Sequence, residues 1–288
     1  MMAKPRMVVL EDTPRLGPEN MAIDERLLQD VATGDLAWLG GQDHAQCDRL
    51  RSWLSVSDSP LIAVRFYTWS EPTFSLGHFQ RIEQLGQAED TREHPSLGAL
   101  PWVQRKTGGG AILHDRELTY SIVVPIGIES LSFSKGHSEI LYRAVHHGVA
   151  EGLRALGLDA KLSESCNCLS NASKASDPFL CFHRRTPVDV IAWDEHGADH
   201  KVLGSAQRRV KTGLLQHGSF LIEKSRAYPG LLGLEDLGGL PAPSGGGFGG
   251  KFDWGDWFQD RVLLAIAGLL GRPEDVFRLN LRERSVRI

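Results

Sequence analysis

The chain has 288 residues, 41% of them hydrophobic and 24% charged. That is ordinary globular composition, with enough length to bury a core without disulfide or metal staples. The formal net charge of 32 − 36 = −4 excludes nucleic acid as the main partner, although Arg208, Arg209 and Lys211 form a local basic patch. No secretory leader and no run of about 18 apolar residues is visible, so a cytoplasmic protein with no membrane partner is expected, its cysteines Cys47, Cys166, Cys168 and Cys181 unpaired.

Residues 5–11 read as a short edge strand. The stretch 19–32 reads as a helix, with Met21, Leu27, Leu28 and Val31 in an apolar stripe and Asn20 as N-cap. Residues 34–59 are mixed and polar and read as a loop excursion. The β-branched and aromatic run 61–69 is a strand, followed by a short one at 73–79. Residues 102–115 give a strand, a glycine turn and a second strand; 118–126 is another strand. The spacing of Ile140, Leu141, Val145, Val149 and Leu153 predicts a long helix over 138–158, stopped at Gly157. The Ser/Asn-rich stretch 159–180 contains the Cys166–Cys168 pair. Three strands follow at 188–193, 201–210 and 214–222, the first two turning near Gly197. Residues 238–250 are a Gly/Pro-rich loop, and 256–271 form a final amphipathic helix. Strands interrupted by long helices predict an α/β (α+β) fold, a mixed sheet packed with helices.

Three features carry candidate chemistry. The first is the string from Arg105 to Asp115, in which Gly108, Gly109 and Gly110 let the backbone approach a ligand and aim N–H groups at it. A bare run of three glycines is equally a tight turn. The second is Lys201 followed by Gly204, Ser205 and Ala206, then Gln216, His217, Gly218 and Ser219. A strand with so little side chain leaves space for a ligand or another backbone, and Lys201 offers an ammonium to it. The third is Cys181: a packing residue by type, a nucleophile if a cation stands nearby. The Cys166–Cys168 spacing is not that of a zinc ribbon, and no metal site is expected. His146 and His147, adjacent in a helix, face different ways and are poor co-ligands.

Taken in order, these pieces resemble the lipoate–protein ligase and octanoyltransferase family, related in fold to biotin protein ligase catalytic domains. Residues 20–25 resemble its first helix. Trp69, Pro72, Ser75 to Gly77, Phe79 and Gln80 resemble its second strand pair. The Arg105 to Asp115 string resembles its ligand loop. Lys201 with 204–207 resembles its lysine motif, and 216–219 the strand after it. The resemblance implies a biotin/lipoyl protein ligase-like catalytic domain over 1–237, the loop 238–250, and a helical segment 251–288 packing on the same domain.

The family divides into ATP- and Mg²⁺-dependent ligases and cofactor-free transferases. Cys181-Phe182 followed by Pro187 and Asp189 to Ile191, with Glu117 to Ser121, resembles the cysteine-using transferase branch, whereas Gly110 at the third glycine is commoner in ligases. The implied activity is octanoyl transfer, in lipoate biosynthesis, from the thioester of acyl carrier protein. The acceptor is the lysine of a lipoyl domain or of the glycine-cleavage H protein. Cys181 and Lys201 would be catalytic. Arg105, Gly108, Gly109, Gly110, His114, Leu76, Gly77, Gly204, Ser205, Ala206, Gln216 and His217 would bind substrate, with Leu76, Gly77, Leu113 and Ala206 walling the acyl chain. Lys201 and His114 are the candidate bases for the acceptor lysine. The alternatives are an ATP-dependent lipoate ligase and a non-catalytic acyl-binding protein.

Overall fold

A computed structural model describes residues 4–41, 43–87, 93–126, 128, 139–165, 179–238 and 252–281. In chain order these form β1 (Arg6–Glu11), α1 (Gly17–Asp30), α2 (His44–Leu54), β2 (Leu61–Tyr67), β3 (Thr73–Leu76), β4 (Trp102–Gln104), β5 (Ile112–His114) and β6 (Glu117–Pro125). They continue with α3 (Glu139–Ala155), β7 (Ala160–Leu162), β8 (Val190–Trp193), β9 (Asp199–Arg209), β10 (Gly213–Leu221), α4 (Trp254–Leu270) and β11 (Val276–Asn280). Eight strands make one mixed sheet in the order β11-β1-β2-β6-β10-β9-β8-β7, and three make a small sheet, β4-β3-β5.

Alternation along the strands divides the large sheet into two faces. On β6, Tyr120, Ile122 and Val124 join one apolar cluster with Leu214 and Phe220 of β10. Helices α3 and α4 cover that face with rows four residues apart: Leu141, Val145, Val149 and Leu153; Phe258, Val262, Ile266 and Leu270. Helix α4 starts at Asp253, whose carboxylate accepts the Asp256 amide at 3.0 Å. Val123 and Leu215 point the other way and pack with Ile23, Leu27 and Leu28 of α1 and Leu50 of α2. The small sheet has its own cluster, Phe74, Leu76, Leu113, Leu180 and Phe182 among its members.

Several sequence expectations change. The excursion 34–59 contains α2, capped by Asp43 on the Gln46 amide. The first strand is interior rather than an edge: β1 runs parallel to both β2 and β11. The C-terminal segment adds β11 to its helix, so it joins the sheet as well as packing on it. The strands on either side of the three glycines are not a hairpin. β4 and β5 flank β3 on opposite sides, so the glycine segment crosses over one end of β3 instead of turning back on itself. Cys166, Cys168 and residues 239–250 lie outside the described residues.

Candidate active site

The first half of β9 and the N-terminal end of β8 place the lysine. Regular alternation would put Lys201 on the same face as Leu203 and Ser205. The β8–β9 register shifts there: Val190 pairs with Leu203 but Ile191 with Lys201. The extra residue, Val202, is a bulge, and a bulge re-aims the side chains beyond it. Lys201 is thereby brought onto the face of Gly204. A Cβ on Gly204 would come within 2.5 Å of Lys201 Cε and 2.9 Å of its Nζ. The space left by this small-residue strand is therefore filled by the chain's own lysine.

Lys201 is only 4% exposed, and its three N–H groups meet three acceptors. Nζ lies 2.9 Å from Asp189 Oδ2, 3.3 Å from the Cys181 carbonyl and 3.6 Å from Cys181 Sγ. Asp189 is fully buried and needs this cation, since an unpaired interior carboxylate costs several kcal/mol. Its Oδ2 also accepts the Thr186 amide at 2.7 Å, and Tyr142 O–H reaches Oδ1 at 3.4 Å. Cys181 itself is half-buried and sits on a short segment docked to the glycine loop. Ala111 N–H donates to Phe179 O at 3.0 Å and Cys181 N–H to Ala111 O at 2.7 Å. The Cys181 amide is thus used within the fold and is not a donor for a substrate oxyanion.

The glycine loop packs against both neighbours. A Cβ on Gly110 would stand 3.1 Å from Cys181 Cα, and one on Gly77 would stand 2.0 Å from the Gly109 carbonyl oxygen. Gly109 has φ +92°, a conformation that glycine adopts without strain. Among the described residues, the amides of Gly108, Gly109 and Gly110 have no acceptor within the protein.

The remaining candidates divide by sheet face. Gly204, Ala206, His217 and Ser219 share one face of β9 and β10. His217 Nε2 is 2.6 Å from Thr107 Oγ1 and its Nδ1 is 3.5 Å from Asp24 Oδ2. Ser205 and Gln216 lie on the opposite face. Gln207 Nε2 donates to Gln216 Oε1 and Gln216 Nε2 to Tyr120 Oη, each at 2.7 Å. Tyr120 Oη is 2.7 Å from Ser205 Oγ, which is 2.7 Å from His146 Nε2. His146 Nδ1 is 2.7 Å from the Val188 carbonyl, so it carries the proton and Nε2 accepts. Burial pushes His146 down to about 4, with Asp189 working against the shift. Leu76 and Leu113 are buried in the small-sheet cluster.

His114 is also buried, stacked on Trp69 at 3.8 Å and held by Ser75 Oγ at 2.7 Å and Glu117 Oε1 at 2.6 Å. Burial pushes its imidazole below the usual range, against the pull of Glu117. It stands among fixed partners, whereas Lys201 stands beside the sulfur. Behind α1, Arg65 bridges Asp12 at 2.8 Å and Asp24 at 2.9 Å, both carboxylates buried. Burial alone would raise Asp24; the His217 hydrogen bond and the Arg65 charge outweigh it and hold the carboxyl below its ordinary value.

Sequence reasoning gave no role to Asp189, Tyr142, Asp24, Thr107 or Arg65. A signal was present for two of them. Asp189 and Arg65 each interrupt an apolar run, VDVIAW and LIAVRFYTW, where a charge is buried only if paired. A cleft of about 740 Å³ beside Arg6, Pro60 and Pro125 lies at the far end of the strands from Cys181. Among the described residues, no group of three or more His, Cys, Asp or Glu is arranged to hold a metal ion, and no helix is long and apolar enough to cross a membrane.

Residues 17–228 match the sequence pattern of the lipoyl protein ligase A/B catalytic domain. The chain is 38% identical over 166 residues to the octanoyltransferase LipM of Halalkalibacterium halodurans, covering 56% of this chain and 54% of that protein. It is 34% identical over 209 residues to the LipM of Anoxybacillus flavithermus, covering 70% and 60%. The matches span little more than half the length of these relatives. Among solved structures, a T. acidophilum protein described as a lipoate protein ligase, with bound lipoic acid, superposes with a TM-score of 0.56 at 18% identity. That match covers 98% of this chain and 91% of the other, and it speaks for a shared fold.

Proposed function

Because the chain belongs to the lipoyl protein ligase A/B catalytic-domain family, and its site sets a thiol beside a lysine, we propose that it is an octanoyltransferase working through a Cys181 thioester. The observation that carries this reading is the 3.6 Å approach of Lys201 Nζ to Cys181 Sγ. The octanoyltransferase relatives support the activity. A ligase would have no need of a nucleophilic sulfur at this place.

The donor is octanoate held as a thioester on acyl carrier protein. It arrives activated, so we assign no cofactor, ATP or Mg²⁺. Cys181 Sγ attacks the donor carbonyl carbon, the carbon–sulfur bond to the carrier breaks, and the carrier thiol leaves with the proton that Cys181 gave up. The amine of a lysine on a lipoyl domain or glycine-cleavage H protein then attacks the acyl-enzyme. Its carbon–nitrogen bond forms, the Cys181 carbon–sulfur bond breaks, and one amine proton returns to the sulfur. Lys201 is the group placed to carry protons in both halves and to supply a charged donor beside the sulfur. The Gly109 amide, on the exposed side of the loop, is the donor we assign to the oxyanion; one such donor is typically worth about 2.7–4 kcal/mol in the transition state.

The test is an intact-mass spectrum of the protein with octanoyl carrier protein and apo lipoyl domain, without ATP. An octanoyl adduct that is absent from Cys181→Ala, together with a modified acceptor, is expected. Product that appears only after lipoate and ATP are added would make the protein a ligase. Binding without turnover in either mixture would make it an acyl-binding protein.

A further inference from the structure

Arg105 stands among the expected substrate-binding residues, but its hydrogen bonds lead elsewhere. A guanidinium has five N–H donors. Here Nε donates to Thr107 Oγ1 at 3.2 Å. Nη1 donates to the Ser75 carbonyl at 2.5 Å and the Ser75 hydroxyl at 3.2 Å. Nη2 donates to the carbonyls of Gly108 and Gly110 at 2.8 and 2.6 Å. Five donors meet five acceptors, all inside the protein, and none of the acceptors is a carboxylate.

The carboxylates stand one step behind. Thr107 Oγ1, which accepts from Arg105, also meets His217 Nε2 at 2.6 Å, and His217 Nδ1 faces Asp24. Ser75 Oγ, which accepts from Arg105, also meets His114 Nε2 at 2.7 Å, and His114 Nδ1 faces Glu117. Both arrays have the hydroxyl–imidazole–carboxylate order of a hydrolytic triad. Both hydroxyls are buried, however, and each is already engaged by the arginine. The arrays end on Arg105 and not on a reacting bond.

The peptide plane supplies the consequence. A carbonyl and the N–H that follows it point in opposite directions. With the Gly108 carbonyl drawn inward to Arg105 Nη2, the Gly109 N–H faces outward. With the Gly110 carbonyl drawn inward, the Ala111 N–H faces outward too, and it clasps the Cys181 segment through Phe179.

We propose that Arg105 is a positioning residue and not a substrate ligand: anchored by the Asp24–His217–Thr107 and Glu117–His114–Ser75 arrays, it sets the glycine loop so that the Gly109 amide is presented beside Cys181. This rests on the acyl-transfer reading above. A lysine at 105 would keep the charge but could not reach both glycine carbonyls and both hydroxyls, so it would not substitute.

Steady-state transfer from an octanoyl thioester, with kcat and KM resolved, tests this in Arg105→Lys, Thr107→Val and Ser75→Ala. Arg105→Lys should lower kcat by about 10²-fold, the scale of one lost oxyanion donor, with KM within about twofold. Thr107→Val and Ser75→Ala should each lower kcat by about tenfold on the same scale, again with KM little changed. A rise in KM with kcat preserved, or full rescue by lysine, would overturn the proposal. If Arg105→Lys fails to fold, the two hydroxyl variants decide, and wild-type kinetics in both would overturn it. Amide hydrogen exchange over residues 105–112 reads the same loop without turnover. Faster exchange is expected in all three variants, and unchanged exchange would count against the anchoring. A wild-type protein that forms no acyl-enzyme would instead sink the acyl-transfer reading, while the exchange result stood on its own.

Discussion

The two faces of the large sheet are built from the same strands and do opposite things. On β6, Tyr120, Ile122 and Val124 enter an apolar layer under α3 and α4, while Thr119 and Ser121, alternating with them, face a buried polar layer under α1. One face is held by dispersion and apolar burial, non-directional and tolerant of small changes of shape. The other has an apolar cluster of its own under α1 and α2 and adds to it the directed bonds of Arg65, Asp12, Asp24 and His217. The candidate site lies at the edge of this second face. Its positioning draws on interactions that have direction, and the apolar layers supply the floor on which they rest.

The largest expected effect should separate the two faces in stability. Arg65→Leu takes the cation from buried Asp24 and leaves Asp12 with Arg15 alone, and should cost about 3–5 kcal/mol in urea unfolding. Neutralising Asp24 in the same chain, with Asp24→Asn, should recover a large part of that loss. Phe258→Ala on the apolar face should cost a similar amount through its cavity, about 3–5 kcal/mol, but no second substitution of a charge should rescue it. Equal rescue of both, or of neither, would erase the distinction.

A smaller change should reach the chemistry alone. Gly204→Ala places a methyl 2.5 Å from Lys201 Cε, closer than the two carbons can stand. Displacing the lysine by about 1 Å should lower transfer by about 10²-fold. Octanoyl transfer at wild-type rate in a folded Gly204→Ala protein would show that Lys201 has freedom the geometry denies it.

Counted per pH unit, the smallest effect belongs to His146, a polar group set into the apolar face. Its folded value is about 4 against an ordinary 6.5. Between these values the unfolded chain takes up a proton that the folded chain refuses. Its contribution to stability is therefore full above about pH 6.5 and is lost progressively as pH falls towards 4, at up to about 1.4 kcal/mol per pH unit. His146→Gln should remove this slope from the unfolding free energy between pH 4 and 6.5. Parallel curves for the two proteins would contradict the assignment.

Much of this architecture is legible in the amino-acid order, and the exceptions have physical causes. Helix α3 is readable because its buried residues recur every four positions. The pairing of His146 and His147 is readable in the same way: one is buried and the other exposed. Helix α2 is hidden because His44–Leu54 fully buries only Cys47 and Leu50, with Trp53 and Leu54 packed at the margin of the core, although Asp43 was a visible cap. Strand β11 is hidden because only Leu279 of its five residues is buried. The position of β1 inside the sheet depends on a partner more than 260 residues away, Val276 opposite Met7, and no local pattern records that. In the candidate site, Cys181 and Lys201 are singled out by the order of the motifs and not by residue type, and the fold brings them within 3.6 Å of each other. Asp189 is not, because its role exists only once β8 and β9 are paired. Ser205 and Gln216 belong to the right strands and point away from Cys181, because a motif gives positions along a strand but not the face each takes after a bulge.

That bulge makes the aim of Lys201 a matter of how Val202 is held. Val202 and its neighbour Leu203 are both buried in the apolar layer under α3 and α4, where successive residues of a regular strand would take opposite faces. Were Val202 drawn back into regular alternation, the ammonium would pass to the face of Leu203 and Ser205 and leave the sulfur. A polar residue at 202 would loosen that doubled apolar hold. The site would lose its cation while its cysteine, its lysine and its glycine loop all stayed in the sequence.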